Sequence, residues 1–117
     1  RAPERGIAPR GSLLLASGRL LRRGAEAPPL LFRLTPEARG RSLAVVVFDL
    51  LGRRVRTLVS GQRFASEGAF AWDGRDAGGA WVRPGLYVVA AEVAAEDGRG
   101  PRRSAIPVAV SAAGTAP

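Results

Sequence analysis

Few groups in this chain are equipped for chemistry. It has no cysteine and no histidine, which removes thiol nucleophiles, imidazole bases, zinc fingers, iron–sulfur ligation and Ser-His-Asp catalysis. Carboxylates, hydroxyls, arginines and the single tyrosine, Tyr87, remain. Among the carboxylates, Asp49, Asp73 and Asp76 stand beside glycines in turn-like segments. They read either as a calcium loop or carboxylate pair, or as acids that cap turns. Turn capping is the better reading, because an EF-hand loop needs more alternating oxygen ligands and a terminal Glu than this segment offers. A glycosidase dyad fares worse, since nothing sets two carboxyls across a cleft and no array of exposed aromatics accompanies them. The chain is therefore expected to be no enzyme and to need no cofactor or metal.

Arginine is the other abundant chemical group. There are 18 basic residues against 10 acidic ones, a net charge of +8, and every basic residue is Arg. With 21 alanines beside them, the arginines point to a GC-rich coding bias, so the basicity is discounted as evidence for nucleic acid. The positive potential is real nonetheless, and it is uneven: residues 1–56 hold 12 Arg and 4 acids, whereas residues 57–117 hold 6 of each. The clusters Arg19/Arg22/Arg23, Arg53/Arg54/Arg56 and Arg102/Arg103 come without a helix-turn-helix, an aromatic RNA-binding strand or a zinc module. A solvated surface is the simpler reading, with Arg1, Arg5, Arg10, Arg53 and Arg54 as candidate electrostatic contacts to an anionic protein or lipid surface. No specific nucleic acid is expected.

The elements that must position these groups are short. At 117 residues and 46% apolar composition the chain is one domain, with no apolar run long enough to cross a bilayer as a helix. Residues 1–10 mix Pro, Gly and charge and read as an irregular arm, 11–110 as the folded domain and 111–117 as a flexible tail. Between them lie seven apolar runs: 12–16, 30–34, 43–48, 54–59, 68–72, 86–93 and 105–110. The pairs Pro28-Pro29, Gly78-Gly79 and Pro84-Gly85 fall between runs, as breakers should. The period is two: Leu30, Phe32 and Leu34 share a face, as do Leu43, Val45 and Val47, and Tyr87, Val89, Ala91 and Val93. Phe70 and Trp72 complete the expected core. The leucines of 13–21 also fit helical spacing, and strand or helix stays open there. Seven short strands predict an all-β, Ig-like antiparallel β-sandwich.

Three ordered motifs sharpen that expectation. The segment 47–58 (VFDLLGRRVRTL), then 72–79 (WDGRDAGG), then 84–87 (PGLY) resembles the FlgD Ig-like module, which is close to the C-terminal β-sandwich domains of many secreted bacterial proteins. The resemblance runs from about residue 30 to 93, with 105–110 in the place of a last strand. Asp49 to Gly52 forms a tight hairpin turn in this reading, Trp72 closes a strand, and Asp73, Gly74 and Asp76 shape the loop after it. Gly85 breaks the chain before Tyr87, which reads either as a corner tyrosine with its hydroxyl returned to backbone or as plain core.

The resemblance implies a non-enzymatic structural or docking module in an exported bacterial assembly, with other protein subunits as partners, a membrane complex among the settings. Periplasm, cell surface or the medium is the implied location, any signal peptide having been removed from a chain that starts at Arg1. One departure from the family points to a site. Outward positions of the third and sixth runs are commonly polar in related modules, but here they read Ala44, Val46, Phe48, Val88 and Ala90. If these runs are sheet neighbours, the five residues form an apolar strip. Either a partner covers it, or loops and the folded-back 13–21 segment do. Two other functions are weighed: carbohydrate or cell-surface adhesion using exposed aromatics such as Trp81, and a basic-patch binder of acidic polymers.

Overall fold

The computed structural model describes residues 13–24, 26–38, 40–63, 69–94 and 101–112. The expected arm, with Arg1, Arg5 and Arg10, lies outside the described residues.

Among the described residues, eight strands form two facing sheets. The smaller sheet runs β1 (Leu14–Ala16), β3 (Leu30–Leu34), β6 (Ala69–Trp72). In the larger, the spatial order is β2 (Leu20–Arg22), β8 (Arg102–Ser111), β7 (Gly85–Val93), β4 (Ser42–Asp49), β5 (Arg54–Arg63). The protein is thus an Ig-like β-sandwich, and the period-two pattern is the reason. Leu30, Phe32 and Leu34 are buried while Leu31 and Arg33 are exposed. Along β4 and β7 the register sets Leu43 against Val93, Val45 against Ala91 and Val47 against Val89. All six side chains face inward and are essentially inaccessible.

Residues 13–21 are not a helix. They supply two short strands that change sheets: β1 pairs antiparallel with β3, and β2 pairs with β8. Ser17 sits at the crossing, its amide donating to the Leu31 carbonyl at 2.8 Å and its hydroxyl accepting from the Leu31 amide at 3.0 Å. Sheet ladders on both sides satisfy more backbone groups here than one helical turn could. The β2–β8 pair is parallel, the one exception to antiparallel pairing among the described strands. It also accommodates Pro107. β2 reaches β8 only at Ala109 and beyond, so at Pro107 the strand is still an edge and needs no second amide donor.

The edge strand β5 carries Arg54, Arg56 and Arg63 and shows three register shifts against β4. Charge and irregularity of this kind discourage pairing with another chain. The core between the sheets centres on Trp72, which meets Tyr87 of the opposite sheet edge-on with centroids 5.7 Å apart. Phe32 and Phe70 stack beside it, also at 5.7 Å.

Candidate functional site

The side chains of β4 that do not face the core all face out on one flat surface. Cross-strand partners in an antiparallel pair share a face, so the registers define the outer surface row by row. Phe48 lies between Val88 and Arg54, with Pro107 beyond Val88. Val46 lies between Ala90 and Thr57, with Ala105 beyond Ala90. Ala44 follows, beside Glu92, and at the other end of the sheet Leu86, Ala109 and Leu20 form a further row. Leu86 and Leu20 are more than half exposed, at 55% and 57%. Val46, Phe48 and Val88 are half-buried.

The structure therefore brings Ala44, Val46, Phe48, Val88 and Ala90 together on adjacent strands. Residues 13–21 lie in the edges of the two sheets and do not fold across this surface. The face is also wider than sequence reasoning drew it. Ala105, Pro107 and Ala109 extend it across β8, and their alternation with buried Ile106, Val108 and Val110 was the signal that could have found them. Small side chains at Ala90 and Ala105 leave a depression of about 480 Å³ beside Phe48, bordered by an ion pair of Arg103 with Glu92 at 3.4 Å.

At one end of the sandwich the acidic residues act on their own turns. The Leu51 and Arg53 amides both donate to Asp49 Oδ1 at 2.9 Å, and Arg53 Nε donates to Oδ2 at 2.8 Å. The Arg53 amide, above all, holds the Asp49 carboxyl below its ordinary pKa. Gly52 completes this three-residue hairpin turn with a φ of 81°, in the left-handed region where glycine avoids a clash. Asp73 Oδ1 accepts from the Arg75 amide at 3.0 Å and from Arg56 Nη1 at 3.2 Å. Asp76 Oδ1 accepts from the Gly78 and Ala80 amides. Among the described residues no cluster of three or more acidic side chains could hold a metal ion.

The loop 73–82 is tied down on all sides. Trp72 Nε1 donates to the Arg75 carbonyl at 3.0 Å, the Ala77 amide to the Val55 carbonyl of edge strand β5, and Arg23 Nη1 to the Val82 carbonyl. Gly74 is required twice over: its φ is 86°, and a Cβ there would lie 2.6 Å from Cδ2 of buried Leu21. Gly85, at φ 152°, opens β7. Tyr87 is buried, and its hydroxyl donates to the Arg83 carbonyl at 2.7 Å, four residues back. Burial first, and the Asp49 charge second, push its pKa up, against the pull of Arg83 and Arg23. One face of the Trp81 ring is taken by the Arg75 guanidinium, 3.9 Å from its centroid.

A solved structure of PorZ, described as an essential bacterial surface component of the type-IX secretion system of Porphyromonas gingivalis, matches with a TM-score of 0.54 and 25% identity. The match covers 84% of this chain and 11% of that one. FlgD from P. aeruginosa matches with a TM-score of 0.48 and 29% identity, over 66% of this chain and 60% of that one. The chain thus spans only part of either protein's length. No curated protein matches it. The family model of the FlgD Ig-like domain matches residues 19–97, from the sheet-switching strand through β7 and past its end, and the chain belongs to that family.

Proposed function

We propose that this domain is a non-enzymatic docking module of an exported or extracytoplasmic bacterial assembly, and that the outer face of its five-stranded sheet is where a partner protein sits. The observation that carries this reading is the contiguous apolar surface built from Val46, Phe48, Val88, Leu86 and Leu20 with small residues between them. Patches of this kind on a soluble domain mark interaction sites. The occupant is a different protein with an apolar patch and an acidic rim rather than a second copy, because two chains of net charge +8 repel one another on approach. The likeness of this chain to a small part of PorZ, a protein described as a bacterial surface component, supports an extracytoplasmic setting. Adhesion to carbohydrate has less support, since one face of Trp81 is already taken by Arg75.

Photo-crosslinking in the native organism tests the reading. A photoreactive residue at Val46 should yield an adduct with another polypeptide, whereas one at Arg33, on the opposite outer face, should not. Adducts of equal yield from both faces, or only intramolecular ones from Val46, would refute it.

A further inference from the structure

Arg54 and Arg83 are exposed at this end of the sandwich, and neither side chain makes a hydrogen bond or ion pair among the described residues. They stand on opposite sides of one open cleft of about 520 Å³, between the β4–β5 turn and the end of the loop 73–82. Arg54 is contributed by the first residue of β5, and Arg83 by the segment leading into β7. Val55, Val82 and Trp81 line the space between them.

We propose that this cleft binds a short acidic peptide segment that carries a large apolar side chain among its carboxylates. Carboxylates meet Arg54 and Arg83, with the outer nitrogens of Arg53 as a third donor group. The Arg53 side chain is 73% exposed and only its Nε is engaged by Asp49. Guanidinium forks match carboxylate geometry, and charge-assisted bonds of this type are the stronger class. The apolar side chain fills the space against Val55 and Val82, a surface that a bare inorganic anion would leave wet.

Asp49 and Asp76 also line the cleft, and they do not close it to anions. Both Asp49 oxygens and Asp76 Oδ1 are engaged, by the Leu51, Arg53, Gly78 and Ala80 amides and by Arg53 Nε. Three guanidinia face these two carboxylates, inside a domain that is positive overall. This site is separate from the outer apolar face, and either can stand without the other.

Fluorescence anisotropy with the full 117-residue chain tests the proposal, using a fluorescein-labelled Asp-Glu-Phe-Glu-Asp peptide at low salt. Saturable binding is expected, weakened about tenfold by either Arg54→Ser or Arg83→Ser, the loss of about one charge-assisted contact. Replacing the peptide's Phe with Ala should also weaken it about tenfold, from lost apolar burial. Arg33→Ser, exposed on the small sheet at the end of β3 away from the loop 73–82, controls for the general field and should change affinity by less than about twofold. The pair Phe48→Ser and Val88→Ser should leave peptide binding intact, so that failure here and failure of the outer face are told apart. Circular dichroism confirms the fold of each variant. Equal binding by the Arg54→Ser/Arg83→Ser double variant, indifference to the peptide's Phe, or full displacement by inorganic phosphate at constant ionic strength would each overturn the proposal.

Discussion

The two faces of the five-stranded sheet are made from the same strands, one residue out of step. Along β4, Leu43, Val45 and Val47 are fully buried, while Ala44, Val46 and Phe48 remain partly open to solvent. Composition does not distinguish the two sets, since both are apolar throughout. What differs is the cover: the inner set belongs to one buried cluster with Trp72, Phe32 and Leu30 of the facing sheet, and the outer set lies outside that cluster. The same side-chain type therefore stabilises the fold on one side and presents a surface on the other. A one-residue shift in pairing would exchange the two sets, and the inner face resists this because its Tyr87 packs against Trp72 across the sandwich.

The largest expected effect is on the inner side. Trp72→Ala removes the central inter-sheet contact and should cost about 3–5 kcal/mol in urea denaturation, enough to unfold a marginal domain. A smaller and more pointed comparison is Val45→Ser against Val46→Ser, neighbours on one strand. Val45→Ser should cost about 3 kcal/mol, because it opens a cavity and buries a hydroxyl. Val46→Ser should cost less than about 1 kcal/mol. Equal costs would mean that the outer face is packed like a core and would break the comparison.

Smaller effects arise at the sandwich end, and pH separates them. Tyr87→Phe should cost about 1 kcal/mol through the lost bond to the Arg83 carbonyl. Because the fold raises the Tyr87 pKa, this residue's contribution is complete below its ordinary value of about 10 and falls as pH rises through the folded-state value. Alkaline melting curves should therefore fall more steeply for the wild type than for Tyr87→Phe. Asp49 has the opposite sign. Its lowered pKa contributes stability above the ordinary carboxylate value of about 4 that is lost as pH falls below it. Asp49→Asn should flatten the acid limb of the melting profile, and an unchanged limb would show that the turn bonds are too solvated to count.

Much of this arrangement was legible in the sequence because it is local. Strict alternation in β3, β4 and β7 assigns faces without knowledge of the partner strands. The Asp–Gly spacings at Asp49, Asp73 and Asp76 announce turns that an acid can cap, and the registers of β4 and β7 place the five outward residues side by side. The hidden parts depend on long-range pairing. Three residues, Leu20–Arg22, are too few to show a period, so β2 and its parallel partner could not be read from residues that also fit a helical face. Arg83 lies far along the chain from Arg53 and Arg54, and only the folded loop 73–82 brings them to one cleft. Tyr87 combined both of its readings, since burial and the return of its hydroxyl to backbone are compatible.

Hydroxyl-radical footprinting of the free domain and of the same domain in its native assembly tests the central claim most directly. Phe48, Leu86 and Leu20 mark the outer face of the large sheet, and Leu31, 51% exposed on the small sheet, is the internal reference. Protection of Phe48, Leu86 and Leu20 by several-fold in the assembly, with Leu31 labelled as before, is the predicted result. Equal labelling of Phe48 and Leu86 in both states would contradict the assignment of that face as a docking surface.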